Sequence, residues 1–547
     1  MWAGYSLAEK DSTMFLRTAT GLVKPWSAFD GFIYNLIAIN PVIVVAFGFV
    51  NGLGIAPGGN MWLALILSGV FCTALAYVEA SLISSMPRSG GDYIFQSRIL
   101  SGGVGYVNVF VFVLFMQTIW NGFVAWWAGD HVIAPFFVIF GTMLHNQPLI
   151  DAGLWMKAGN GFMVLGTIIV VWAAIINLVG MVWYRRVQKA AFYVGIVGLV
   201  AMILIFLTTT QTAFQQGYNN FWINVFGMQP DMYHTILNTA IAKGYSPSPN
   251  VGWESLIITM PLAMTYMFSA WSCYNAGEIK GAAGFRSQIY QVVVAEIIAI
   301  ILGLALYTGV ANMVGDSWYR AVCWLFWNQG SSYPVPIAPY FGFLAAIIFS
   351  NPIPMLVIFV TLQAWFWMWY PNITIAVSRT MLAMAFDREF PEKIADVHPR
   401  TRAPWIAILV VSFFGIVSVA LFAYTTFSQL ILAASLVSIL GFAGSALAAA
   451  VMPWRRRELY KSSPISKHEL GNIPTITIAG VIWLAFTVLA VYIFATEPRV
   501  FFVSGWVAWA YLIGMYVVSA LFYFAYKFYR RRQGIKVDLL YKQIPVE

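Results

Sequence analysis

Charge is what this sequence has least of. Only 9% of its residues are Asp, Glu, Lys or Arg, against roughly 25% in soluble domains. Hydrophobic residues make up 60% of the chain, and the mean hydropathy is +0.76. A water-soluble domain is excluded; this is the composition of an integral membrane protein. Cysteine is scarce as well. Cys72, Cys273 and Cys323 lie far apart and no CxxC occurs, so neither a redox motif nor a zinc site is supported. Five scattered histidines offer no metal spacing. There is no GxxxxGK phosphate loop and no long polar stretch to hold one, which argues against ATP hydrolysis within the chain. A cleavable signal is also missing. The residues before the first apolar run are mixed and polar (EKDSTMFLRTATGLVK), so that run is read as a spanning helix.

Long apolar runs are present in abundance. A bilayer core takes about 20 apolar residues per helix. Runs near 29–50, 61–85, 104–128, 161–184, 188–210 and 254–279 meet that length, as do 288–312, 353–379, 404–424, 428–451, 474–495 and 502–527. Twelve spanning helices are predicted. The run 132–142 is too short to cross and reads as an external cap, with 334–350 similar. The net charge of +9 sorts by side. Loops on the N-terminal side of this map hold 26 of the 30 Lys and Arg residues, and the opposite loops hold only Lys157, Lys243, Arg320 and Arg499. That asymmetry is the positive-inside pattern. It predicts cytoplasmic termini and makes the basic charge a topology signal instead of a nucleic-acid footprint.

The first span, FIYNLIAINPVIVVAFGFV, carries Asn35, Asn40 and Pro41 inside it. A proline there removes one backbone hydrogen bond, and lipid offers nothing to replace it. Either the helix is merely kinked or it is interrupted for use. Five helices on, the sixth span holds Pro261 and the polar run Ser269-Ala270-Trp271-Ser272-Cys273, followed by Asn275 and Gly277. Carriers built from inverted repeats place one interrupted helix per repeat around a site at the midplane, although Pro and Gly are common in membrane helices in any case.

Four stretches carry a family resemblance. MPRSGGDYIFQSRIL (86–100) resembles the Pro-x-Ser-Gly-Gly-x-Tyr signature of the amino acid–polyamine–organocation (APC) transporters. AGEIKGA (276–282), SRTMLAMAFDREFPEKIADVHPRTRAPWIAI (378–408) and PWRRRELYKSSP (453–464) are similar to that family's endings of helices six, eight and ten, in the expected order. The resemblance implies an all-α fold of the LeuT type: helices 1–5 and 6–10 as two inverted repeats with broken helices one and six, and two further helices outside. The expected organisation is a cytoplasmic tail (1–28), a first repeat (29–210), an extracellular loop (211–253), a second repeat (254–451), a cytoplasmic loop (452–473), helices eleven and twelve (474–528) and a cytoplasmic tail (529–547).

The same resemblance implies a substrate site at the two breaks. From helix one it takes Ala38, Ile39, Asn40 and Pro41, acting mainly through backbone groups; Asn40 either touches substrate or caps its own helix. From helix six it takes Phe268, Ser269, Ala270, Trp271 and Ser272, with Trp271 as a gate or as ordinary packing. In helix three, Gln117 and Asn121 lie four residues apart on one face with Trp120 beside them; such polar groups line a site or join helices. One departure matters. Many amino-acid carriers have glycine at the helix-one break, whereas AINP and MFSAW have none, so Ile39 is expected to crowd a carboxylate pocket.

Proton-coupled relatives often carry a lysine in helix five, and here that place falls near Gly195. Of the acidic residues within spans, Glu79 is displaced from the family's helix-two position near Ser81, and Glu296 of helix seven is the better proton carrier. Sodium would instead need oxygens, for which helix eight offers Asn372, Thr374 and Ser378. Glu278 and Lys280, with Arg88 or Arg98 of the signature loop, form a candidate cytoplasmic gate. The expected function is a secondary transporter of amino acids or related amines in a cell membrane, driven by H+ or Na+, with no cofactor, no metal and no nucleic-acid partner. The alternatives are an uncoupled exchanger, or a transporter-like sensor or channel for another solute; a membrane enzyme would need a convergent catalytic cluster, which the sequence does not offer.

Overall fold

A computed structural model describes residues 21–349, 351–430, 433–500, 505–535 and 537–542. The tail predicted over 1–28 therefore lies outside the described residues up to residue 20, and the C-terminal tail does so at 536 and from 543 onward. Among the described residues, 12 helices are long and apolar enough to cross a membrane. In order, helices one to six are Ala28–Ile55, Met61–Ser85, Gly102–Trp127, Gly159–Leu178, Met181–Thr208 and Val251–Cys273. Helices seven to twelve are Phe285–Asn328, Pro352–Phe386, Trp405–Tyr424, Ser435–Arg455, Thr475–Thr496 and Gly505–Arg532. The expected external cap is the short helix Ala134–Met143, and the ambiguous run after helix seven forms Phe341–Ile347.

Three features differ from the sequence expectation. Helix four stops at Leu178, and Gly180 (φ 93°) turns the chain, so that Arg185 and Arg186 lie in the opening turns of helix five instead of a loop. Only glycine fits that turn, since a Cβ would sit 2.4 Å from the Thr401 carbonyl oxygen. The segment 211–253 is not a plain loop. It folds into Gln211–Phe226 and Met232–Ala242, and the first buries Phe214, Tyr218, Phe221 and Trp222 at helical spacing. Helix seven runs on past a bend at Gly315 (φ 88°), and its extension Asp316–Asn328 packs on the second half of helix one. A short hairpin pairs Glu469–Leu470 with Ile473–Pro474 before helix eleven.

The helices sort into two packed groups. Helices one, two, six and seven pack together, as do three, four, eight and nine, while helix five touches one, seven and eight. Helix eleven packs on two and ten, and helix twelve on three, outside both groups. Helix eight keeps its course through Pro371 because helix four supplies what the proline removes. The Trp367 carbonyl, four residues earlier, accepts Trp172 Nε1–H at 2.7 Å, and the Pro371 carbonyl accepts Asn177 Nδ2–H at 3.3 Å. The two breaks face the second group across the seam between the groups.

Candidate functional site

Helix one halts at Ile39 because of the next two residues. Pro41 has no N–H to continue the ladder and disfavours helical backbone in the residue before it. Asn40 takes the left-handed conformation (φ 52°, ψ 79°), which asparagine tolerates better than most non-glycine residues. Its side chain then restarts the helix: Oδ1 accepts the Ile43 amide at 3.0 Å, and its carbonyl accepts the Val44 amide at 3.1 Å. Asn40 thus caps with its oxygen. Its Nδ2, fully buried, has no partner among the described residues.

Helix six changes at the polar run. Regular α-helix ends at Tyr266, and Met267–Cys273 tightens into 3-10 turns. Asn35, one turn before the helix-one break, ties the two together. Its Nδ2 donates to Ser272 Oγ at 2.9 Å and to the Gln291 carbonyl at 2.8 Å, while its Oδ1 accepts the Ser272 amide at 2.8 Å. Ser272 is therefore committed to this knot. Ala270, Ile39 and Pro41 are buried at the breaks.

An aromatic line connects the breaks to the second group of helices. Trp369 of helix eight donates to the Ala38 carbonyl at 3.1 Å. Trp369 packs edge-on to Trp120, Trp120 on Phe268 (5.6 Å between centroids), and Phe268 on Trp271 (5.1 Å). Trp120 and Gln117 lie in a π-helical stretch, Met116–Trp120, which Ser418 of helix nine holds open. The Ser418 hydroxyl accepts the Gly122 amide at 2.8 Å and donates to the Thr118 carbonyl at 2.9 Å, taking the place of a direct bond between them. Trp120 Nε1, Trp271 Nε1 and both amide atoms of Gln117 are buried without partners among the described residues. Asn121 is different: it donates to the Met116 carbonyl at 2.8 Å and accepts Tyr370 Oη–H at 2.8 Å, so it joins helices three and eight.

Two of the helix-eight oxygens expected to serve sodium are engaged in hydrogen bonds. Asn372 accepts the Tyr184 hydroxyl and donates to the Tyr34 carbonyl at 3.3 Å. Ser378 donates to the Ile375 carbonyl at 3.2 Å and accepts Arg379 Nη1–H at 3.2 Å. Thr374 is buried between them in sequence. Glu296 is fully buried in helix seven, near the Ser269 hydroxyl. Gly195, the expected lysine position, has no room for a side chain, because a Cβ would lie 2.7 Å from Trp365 Nε1.

A buried ion pair links the end of helix six to helix eight. Glu278 meets Arg379 of helix eight in a bidentate contact (Nε–Oε2 3.0 Å, Nη2–Oε1 3.2 Å), with both side chains at most 1% exposed. The expected partners Arg88 and Arg98 are placed elsewhere. Arg88 donates to the Pro87 carbonyl, and Arg98 pairs with Asp387 at 2.5 Å. Lys280 contributes through its backbone: its amide donates to the Trp26 carbonyl at 2.9 Å, and the Trp26 amide donates to the Glu278 carbonyl at 3.3 Å. Trp369 and Ser418 escaped the sequence reading, while Asn35, noted inside the first span, and Arg379, within the helix-eight motif, were not chosen as site residues; the Trp-rich run before Pro371 was the signal for one of the four.

In comparison with known proteins, the chain matches the family described as amino acid permease over residues 26–522. No curated protein matches it. The family match runs from Trp26, at the closed end of helix one, into helix twelve, and so takes in both breaks, the signature loop and the ion pair; the chain belongs to the amino acid permeases of the APC superfamily.

Proposed function

We propose that this permease is a secondary active carrier of amino acids or related amines, working by alternating access in a cell membrane with both termini cytoplasmic. Family membership supports an amino acid as the solute and a transporter as the activity. The observation that carries the finer reading is the set of unpaired buried polar atoms around the breaks: Asn40 Nδ2, the Gln117 amide, Trp120 Nε1 and Trp271 Nε1. Each such group costs roughly 1–3 kcal/mol when nothing satisfies it. A zwitterion with a carboxylate for these donors and an apolar side chain for Phe268 and Trp120 would match them. The bulk of Ile39 favours a substrate held by side-chain donors over one gripped by bare backbone.

The orientation rests on the distribution of Lys and Arg. With the N-terminal face in the cytoplasm, the Glu278–Arg379 pair and the Trp26 backbone bonds close the inner route. The driving force is an ion gradient, H+ or Na+, or an exchanged solute.

Uptake by the purified protein in liposomes tests the reading. Labelled amino acids and amines are offered with no gradient, a proton gradient, a sodium gradient or unlabelled solute inside. Saturable uptake that Trp271→Ala and Asn40→Ala weaken is expected. Stimulation by internal solute alone would make the protein an exchanger, and no uptake under any condition would overturn the amino-acid reading.

A further inference from the structure

Away from the breaks, two acidic side chains are buried against one another. Glu79 is fully buried in helix two, and Asp92, 4% exposed, opens the short helix Asp92–Ile99 of the signature loop. The charged group beside Glu79 is Asp92, not a base. Tyr274 Oη donates to Asp92 Oδ2 at 2.6 Å and Ser445 Oγ donates to Oδ1 at 2.5 Å. Ser445 also faces Glu79, although among the described residues no donor meets either Glu79 oxygen in full hydrogen-bonding geometry. A small cavity adjoins Asp92, lined also by Tyr274 and Ser438. The Ser438 hydroxyl, on a residue 1% exposed, has no partner among the described residues.

Two carboxyls held side by side away from water repel one another when both are charged, and a shared proton relieves that repulsion. We propose that Glu79 and Asp92 form one proton-binding site that couples proton movement to substrate translocation, an inference that rests on the carrier reading above. The step is a plain proton transfer. A proton adds to one carboxylate oxygen, the new O–H donates to the other carboxylate, and release reverses this. A metal cation fits less well, because the Tyr274 and Ser445 hydroxyls already point hydrogens at Asp92. The remaining titratable group facing the pair is the Cys273 thiol, buried against both carboxyls. Coupling follows from where the donors sit. Tyr274 directly follows the tight stretch of helix six, and its carbonyl accepts the Gly90 amide of the signature loop at 2.9 Å. Movement of helix six at the site changes the hydrogen bonding of Asp92, and so the tendency of the pair to hold its proton.

The test has two arms. In the first, infrared spectra of the purified protein are recorded across a pH series without substrate. A protonated-carboxyl component that disappears on alkalinisation is expected beside whatever Glu296 contributes, and difference spectra against the natural protein should show both Glu79→Gln and Asp92→Asn losing the same component; no such loss in either variant overturns the shared site. In the second, the gain in vesicle uptake from an inward proton gradient is measured against counterflow in the same vesicles. Glu79→Gln should lose the gain and Glu296→Gln should keep it. Retention in Glu79→Gln, loss in Glu296→Gln alone, or a gain from sodium in place of protons overturns the proposal. If Glu79→Gln fails to fold, Ser438→Ala should shift the pH midpoint of the gain, and an unmoved midpoint counts against the site. Absence of counterflow in the natural protein would sink the carrier reading, while the infrared arm still decides whether the pair binds a proton.

Discussion

Asn35 and Ser272 exchange two hydrogen bonds across the breaks, Nδ2 to Oγ at 2.9 Å and backbone amide to Oδ1 at 2.8 Å. The bonds fix the last full turn before the helix-one break against the tight stretch of helix six. Neither half-helix can move alone without breaking them.

Asn35→Ala removes three bonds at once, to the Ser272 hydroxyl, the Ser272 amide and the Gln291 carbonyl, in a dry interior. Each lost partner costs roughly 1–3 kcal/mol. A lower Tm in detergent and a large loss of uptake are expected. A variant as stable and active as the natural protein would show that the breaks are held by other contacts.

The Glu278–Arg379 pair links the end of helix six to helix eight with both side chains buried. Removing one partner of a buried pair costs about 3–5 kcal/mol, because the other charge is left uncompensated. Glu278→Gln should therefore loosen the closed inner face. Cys273 lies beneath it, fully buried, packed where a Cβ on Gly91 would be 2.7 Å from its sulfur. In a background lacking Cys72 and Cys323, maleimide should label Cys273 faster in Glu278→Gln than in the unaltered pair. Equal labelling rates would remove the pair from the gate.

Ser418→Ala takes away the hydroxyl that bridges the Gly122 amide and the Thr118 carbonyl. Nothing in lipid replaces it. Helix three is expected to close toward regular geometry and to turn Trp120 away from Phe268. The substrate KM should rise with a smaller change in maximal rate, and Ser418→Thr, which keeps the hydroxyl, should restore part of the affinity. An unchanged KM in Ser418→Ala would mean that the π-helical stretch does not position Trp120.

Local chemistry explains what was legible in the sequence. Apolar length gave the spans, and Asn40-Pro41 gave the first break, because a missing amide acts on its own helix whatever surrounds it. The polar run of helix six gave the second. Long-range partners were hidden: Arg379 lies 101 residues from Glu278, and Ser418 lies 296 from Gly122. No spacing rule connects such pairs before the helices are packed. Asn121 shows the converse. It stands four residues from Gln117, yet Tyr370 of helix eight claims its oxygen, which only the packing decides. The helices within 211–253 were readable from the spacing of Phe214, Tyr218, Phe221 and Trp222, but the polar content of that segment suggested a loop.

At the end opposite the ion pair, Arg499 forms a clasp between the turn after helix eleven and helices one and six. It contacts Glu497 through Nε and Nη2 at 2.7 Å each, Glu254 at 3.0 Å and the Ile55 carbonyl at 3.3 Å. Hydrogen bonds from Arg499 hold the Glu497 carboxyl below its ordinary range despite partial burial. A carboxyl whose folded-state pKa is depressed adds stability that is fully present above its unfolded value, about 4.3 for Glu, and is lost as pH falls through the lower folded value. The Tm advantage of the natural protein over Glu497→Gln should thus be constant from neutral pH down to the ordinary carboxylate range and shrink below it. Other carboxyls titrate in the same window, so the difference between the two proteins is the quantity to follow, not either curve alone. Arg499→Ala should behave like Glu497→Gln in its pH dependence while losing more stability, since it also releases Glu254 and the Ile55 carbonyl. A Tm difference that stays the same at every pH would mean that the Glu497 charge adds nothing to the clasp.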